Sequence, residues 1–329
     1  MIEPPVKFAD LLQINDDTGF NAIALELFRF QVKHNPVYAS WVNSLGVKPS
    51  TVDNYRRIPF LPVGLFKSHR VVIPGREPQL LFESSGTTGM VPSRHWVVDA
   101  GLYRKSFVAG FELFYGHVTG YRIVALLPSY LERKNASLVF MVDELIRLTG
   151  DPKSGFYLRA EEKLEEILAD SGKKTILIGV SFALLEMAEK LTRDSNPALI
   201  VMETGGMKGR RREMIREELH EVLCRGFGVN HIHSEYGMTE LLSQAYSKGE
   251  GVYAPPPWMK ILIRDPDDPL TITREFGITG GINVIDLANI WSCPFIATED
   301  LGRLYPDGRF TVLGRFDESD IRGCNLMAL

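Results

Sequence analysis

The stretch Leu80-Leu81-Phe82-Glu83-Ser84-Ser85-Gly86-Thr87-Thr88-Gly89 runs from a short apolar segment into a turn made only of serine, glycine and threonine. Backbone amides and small hydroxyls in such a turn converge on an anion, and Gly86 and Gly89 admit conformations that a side chain forbids. The chemistry it suggests is phosphate binding. The spacing matches neither the P-loop nor the GxGxxG dinucleotide pattern, and a Ser/Gly/Thr turn between strands is also an ordinary turn. Its meaning depends on what else the chain carries.

Downstream of this turn, apolar runs alternate with amphipathic stretches: 122–127 then 137–148, 175–180 then 181–191, 199–203 then 210–223. Strand and helix in turn predict crossover units and an α/β fold, with a mainly parallel buried sheet and flanking helices. Ligands of such sheets lie at the carboxyl ends of the strands. Upstream, Ile23, Leu27, Phe28 and Phe30 recur at roughly helical spacing from 21 to 34, and Asn35-Pro36 supplies a stop. The segment 58–64 is too rich in proline for a regular element and reads as an extended loop leading to the glycine-rich turn. After about Ser247, turn signals such as Pro255-Pro256-Pro257, Gly280-Gly281 and Pro306-Asp307-Gly308 separate short β-rich pieces, which predicts a smaller, mostly antiparallel β subdomain.

Of the 329 residues 45% are hydrophobic, ample for a large core, and the net charge of -4 gives no basic excess of the kind that tracks a nucleic-acid backbone. The N-terminus lacks a basic region followed by an apolar core, and no run is long and uncharged enough to span a bilayer, so a cytoplasmic enzyme without a membrane span is expected. Cys224, Cys293 and Cys324 form no CxxC pair and indicate neither a disulfide framework nor a zinc site.

Further phrases follow the first in order: Thr204-Gly205-Gly206, Tyr236-Gly237-Met238-Thr239-Glu240, Ala297-Thr298-Glu299-Asp300-Leu301-Gly302 and Gly314-Arg315-Phe316-Asp317-Glu318. Taken singly, Tyr236 reads equally as a core tyrosine, Asp300 as a turn residue and Arg315 as a surface charge. As a series, with the Ser84–Gly89 loop, they resemble the ordered core motifs of the adenylate-forming superfamily, which activates carboxylates with ATP. The resemblance implies that fold's large domain and a site for ATP and Mg2+. It implies that Ser84, Ser85, Gly86, Thr87, Thr88 and Gly89 close over the phosphates and that Thr239 and Glu240 contact phosphate and magnesium. Gly205 and Gly206 leave room for the base, Tyr236 stacks beside it within Tyr236-Gly237-Met238, and Asp300 and Arg315 hold the ribose. The chemistry suits these residue types, because joining a carboxylate to the α-phosphorus requires phosphate charge to be neutralised and two reactants held in line. One departure is that many members carry a lysine soon after the loop, where this chain has Met90-Val91-Pro92-Ser93-Arg94. The basic run 208–212 reads as a solvated face.

Acyl-CoA ligases of the superfamily continue after the Gly-Arg-x-Asp hinge into a small lid domain, and the few residues after Asp317 lead to the expectation that this domain is absent. The tail, Ser319 to Leu329, instead carries Cys324 beside Arg322 and Gly323. That arrangement is similar to the acyl-protein synthetase family of the bacterial luminescence fatty-acid reductase complex, most specifically over 59–67 and 314–326. The resemblance implies transfer of the activated acyl group to Cys324, since a thiolate is a good nucleophile toward an acyl phosphate anhydride. The expected organisation is an AMP-binding domain over 1–315, including the N-terminal helices and a β subdomain from about 248, and a hinge-like tail over 316–329. The expected substrate is a carboxylic acid, a fatty acid by resemblance, and the expected partner a reductase subunit. Two alternatives stay open: an external thiol such as coenzyme A or a carrier protein as acceptor, and a catalytically silent nucleotide-binding assembly protein.

Overall fold

The computed structural model describes residues 2–84, 91–127, 135–157, 162–190, 195–205 and 214–316. Among these the strands are β1 (Leu61–Pro62), β2 (Leu80–Glu83), β3 (Arg94–Val97), β4 (Tyr121–Leu126), β5 (Gly155–Phe156), β6 (Lys174–Val180), β7 (Leu199–Thr204), β8 (Ile232–Tyr236), β9 (Ala245–Ser247), β10 (Val252–Ala254), β11 (Met259–Arg264), β12 (Thr279–Asp286), β13 (Phe295–Leu304) and β14 (Phe310–Arg315). All but β2 and β3 belong to one twelve-stranded sheet, in the order β11-β12-β13-β14-β10-β9-β8-β7-β6-β4-β5, with β1 on β13.

Strands β5, β4, β6, β7 and β8 run parallel, as their uninterrupted apolar sequences predict for strands covered on both faces. From β8 to β9 the pairing turns antiparallel and stays so through β10, β14, β13, β12 and β11. The β-rich C-terminal pieces therefore extend the same sheet instead of forming a second one. The helix Ala100–Tyr115 starts on a cap, with Asp99 accepting from the Leu102 amide, and both it and the helix Ser137–Thr149 stop at glycines of positive φ, Gly116 and Gly150. The helix Arg216–Phe227 begins later than its amphipathic pattern suggested, with Glu217 and Glu218 in the first turn, where carboxylates favour the helix dipole.

The prolines of 58–64 do not exclude a regular element. Leu61 and Pro62 pair in parallel with Ile296 and Ala297, an edge position where proline's missing donor costs little. Asn35 likewise does two jobs, ending the helix Asp17–His34 and capping the helix Pro36–Ser44. Its buried amide also donates to Gln31 Oε1 and the Ser292 carbonyl, and Gln31 Nε2 donates to the Ile290 carbonyl. These bonds fasten the N-terminal helices to the segment between β12 and β13. Among the described residues no helix is long and apolar enough to cross a membrane.

Candidate active site

β8, the last parallel strand, ends at Tyr236, and what surrounds that ring comes from the far end of the sequence. The Tyr236 hydroxyl donates to Asp300 Oδ2 at 2.9 Å, and the ring meets Phe310 and Tyr253 edge-on at centroid distances of 5.3 and 5.9 Å. Asp300 on β13 is the register partner of Arg315 on β14, whose Nε stands 3.4 Å from Asp300 Oδ1. Burial raises the Asp300 carboxyl above the usual carboxylate range, opposed by Arg315 and by the Tyr236 hydroxyl. Burial and the adjacent Asp300 push Tyr236 up in turn, so it stays a donor. Beneath them the buried Arg264 guanidinium donates to the carbonyls of Ile282 and Thr298, fixing β13 where it carries Asp300.

Beyond Tyr236 the chain turns and places Glu240 in the interior, 4% exposed. Burial raises its carboxyl, while a hydrogen bond with Ser93 and the charge of Arg315 oppose the shift. Backbone contacts hold this turn. His95 Nδ1 donates to the Thr239 carbonyl at 2.8 Å, and Asn289 Nδ2 donates to the Glu240 carbonyl at 2.8 Å. Asp286 Oδ2 accepts from the amides of Leu242 and Ser243, and its Oδ1 from the Ser243 hydroxyl. Desolvation of the enclosed His95 lowers its pKa to about 4, so it is neutral at physiological pH.

Of the Ser/Gly/Thr segment, Ser84 lies within the described residues, at the end of β2. β2 and β3 pair antiparallel with Glu83 opposite Arg94, the Ser84 amide donates to the Ser93 carbonyl, and the Ser93 amide donates to Ser84 Oγ. Because Ser93 reaches Glu240, the strand pair delivers Ser84 to the same neighbourhood. Arg94 pairs with Glu83 at 3.3 Å and is half exposed, so its charge is already engaged across the two strands. Gly205 follows β7 at φ 73°, a conformation natural to glycine, and its carbonyl accepts from Ser181 Oγ.

The structure thus gathers Ser84, Tyr236, Thr239, Glu240, Asp300 and Arg315 around the end of β8, with Gly237 and Met238 in the connecting turn and Gly205 at the end of the neighbouring β7. Ser85, Gly86, Thr87, Thr88, Gly89, Gly206 and Cys324 lie outside the described residues. His95, Asn289, Asp286 and Ser93 were not anticipated. Their side chains bind the backbone or side chains of distant segments, and nothing in their own sequence context marks them. Cys293 is fully buried in the core, and Cys224 lies inside the helix Arg216–Phe227.

No family model and no curated protein matches the chain. Solved structures do. An ATP-bound chimera of MatB matches with TM-score 0.55 and 17% identity over 74% of this chain and 49% of that one. ATP-bound MatB from Rhodopseudomonas palustris gives 0.53 and 17% over 71% and 47%. A 2-hydroxyisobutyryl-CoA ligase in complex with its acyl-AMP and coenzyme A gives 0.65 and 15% over 92% and 68%. The chain spans about half the length of the first of these. Identities this low speak to architecture, and the architecture is that of the adenylate-forming enzymes.

Proposed function

We propose that this chain adenylates a carboxylic acid with ATP and passes the acyl group to Cys324. The supporting observation is the junction of Tyr236, Asp300, Arg315 and Glu240 at the end of β8, where an α/β sheet takes its ligand. Asp300, an acceptor steadied by Tyr236, suits ribose hydroxyls, and the exposed Arg315 beside it suits sugar or phosphate oxygens. Glu240 is one buried carboxylate with a raised pKa, the kind of group that Mg2+ satisfies together with phosphate oxygens and water. The metal supplies charge neutralisation on the phosphates. Thr239 and Glu240 hold their positions through His95 and Asn289, and the resemblance assigns the phosphates to the hydroxyls and amides of Ser84–Gly89.

In the first step a carboxylate oxygen bonds to the α-phosphorus, the bond to the β-phosphate breaks, and pyrophosphate leaves. In the second, the Cys324 thiolate bonds to the acyl carbonyl carbon and AMP departs with the electrons of the broken C–O bond. A fatty acid is the substrate class implied by the acyl-protein synthetase resemblance, and a reductase that consumes the thioester is the implied partner. Pyrophosphate exchange on a panel of acids tests adenylation, and absence of exchange with every acid by folded protein overturns it. Cys324→Ser is expected to keep exchange and lose hydroxylamine-labile acyl label, and label that persists overturns the role of Cys324.

One observation favours a second reading, transfer to an external thiol: a structural relative of this fold was captured with coenzyme A. Acyl-CoA formed by the purified chain alone would select it.

A further inference from the structure

Strand β13 leaves regular pairing with both of its neighbours, and Asp300 lies where the two irregularities meet. Toward β12, Asn283 pairs with Ala297 and Gly281 with Leu301, which leaves Ile282 alone opposite Thr298, Glu299 and Asp300. Toward β14, Gly302 pairs with Val312 and Leu301 with Gly314, which makes Leu313 an extra residue. A regular ladder continued from Gly302 and Val312 would set Arg315 opposite Glu299, and the extra residue sets it opposite Asp300 instead. Bulges of this kind bend a strand and re-aim its side chains. They also take backbone groups out of the ladder, and a buried carbonyl left without a donor is costly.

Arg264 supplies the missing donors on the β12 side. From β11 its Nη1 donates to the Ile282 carbonyl and to Asn283 Oδ1, each at 2.8 Å, and its Nη2 donates to the Thr298 carbonyl at 2.6 Å. Thr298 completes the repair, since its hydroxyl donates to the Ile282 carbonyl and accepts from the Asp300 amide. The guanidinium reaches this place across its register partner Gly281, where a methyl group would lie 2.5 Å from Arg264 Cζ. Gly280-Gly281, a turn signal in the sequence, therefore lies inside β12, and Gly281 is the gap that the guanidinium fills. Its other face stands 5.3 Å from the ring of Phe316, the residue after Arg315, whose amide donates to the Glu299 carbonyl. One side chain thus touches the chain next to Asp300 and next to Arg315. Arg264 is 8% exposed and spends its bonds on two carbonyls and an amide oxygen. A strand that needed only packing would avoid that desolvation with an apolar residue.

We propose that Arg264, working with Thr298, is a positioning residue of the candidate nucleotide site: it holds the irregular stretch 298–300 so that Asp300 meets the ribose, and through Phe316 it keeps Arg315 beside Asp300. It acts through those two residues and not on the substrate. The inference rests on the reading of Asp300 as the ribose acceptor in adenylation, and it assigns the sugar selectivity of that site to a side chain buried behind it.

The test compares ATP with 2′-deoxy-ATP and 3′-deoxy-ATP in acid-dependent pyrophosphate exchange, and AMP with its deoxy counterparts in calorimetric binding. The proteins are the wild type, Arg264→Lys, Thr298→Val and Thr298→Ser. Lysine keeps the charge but cannot span three acceptors arranged around a planar fork. Valine keeps the shape of Thr298 without its hydroxyl, and serine keeps the hydroxyl. The wild type is expected to favour the ribonucleotide over at least one deoxy analogue by about tenfold or more. Arg264→Lys and Thr298→Val should cut that preference to about threefold or less while the KM for the acid stays unchanged, and Thr298→Ser should retain it. Folded variants that lose activity but keep the full preference overturn the inference and leave adenylation standing. If Arg264→Lys does not fold, the Thr298 pair decides in the same way. A wild type indifferent to both hydroxyls removes the ribose role of Asp300 and the inference with it. Silence in exchange with every acid removes adenylation alone, because the binding preference still decides the role of Arg264.

Discussion

Tyr236 and Asp300, 64 residues apart in the chain, share a buried hydrogen bond of 2.9 Å, and Asp300 extends it to Arg315. Asp300→Ala would leave the buried tyrosine hydroxyl with only the weak thioether acceptor of Met238, 3.8 Å away. A stability loss of about 1–3 kcal/mol in denaturant midpoint is expected. The KM for ATP should rise at least about tenfold as the ribose loses its acceptor. An unaltered ATP dependence would count against the nucleotide role.

Glu240→Gln separates chemistry from folding. Burial already disfavours the charged form, so the neutral amide should leave Tm unchanged or raise it. Exchange should nonetheless fall by about a hundredfold or more, since the phosphates lose the carboxylate that anchors their counter-ion. A variant with wild-type exchange refutes the assignment.

Glu235 gives stability a particular pH dependence. Burial lifts its pKa from 4.5 to about 7 in the folded chain. A raised folded pKa contributes stability that is complete below 4.5 and declines as pH climbs through 7. At most this amounts to about 3 kcal/mol. Relative to wild type, Glu235→Gln should therefore gain in denaturant midpoint between pH 4.5 and 7, and a constant difference across that window contradicts the desolvated carboxyl, whose hydrogen bond from Thr204 only partly opposes burial.

His95 acts in the reverse sense. Its pKa falls from 6.5 to about 4 on folding, mainly by desolvation. Its contribution is full above 6.5 and is lost as pH falls toward 4, as the unfolded chain takes up the proton first. His95→Gln should flatten the acid limb of the stability profile measured by urea titration. It should also reduce exchange at neutral pH, because the Thr239 carbonyl loses its donor.

Gly302→Ala tests the β13–β14 frame. A methyl there would lie 2.3 Å from the Thr311 carbonyl, at the register shift between Leu301 and Gly302. The expected cost is about 2–3 kcal/mol, with weakened ATP dependence because Asp300 and Arg315 ride on these strands. A neutral Tm would show that the pair relaxes freely.

Much of the fold was readable because parallel strands buried on both faces leave unbroken apolar runs, as in 123–126 and 176–178. Helix ends marked by Gly116 and Gly150 were local signals too. The continuity of the sheet was not readable, because it depends on the pairing of Glu235 with Tyr246 across the β8–β9 connection, and periodicity carries no information about which strand pairs with which. The same division holds at the site. Asp300 and Arg315 stand in short phrases with a recognisable order. His95 and Asn289 work by touching the carbonyls of Thr239 and Glu240, 144 and 49 residues away in sequence, and Glu235 drew no notice beside the tyrosine that follows it.

His95 belongs to β3, the strand that follows the glycine-rich segment in sequence, and it grips the carbonyl just before Glu240. Ser93, beside the same strand, bonds Glu240 itself, so any tilt of β3 reaches the carboxylate and its mounting together. Whatever draws β3 toward a ligand therefore also re-aims the acid group, which makes strand and carboxylate one mechanical unit.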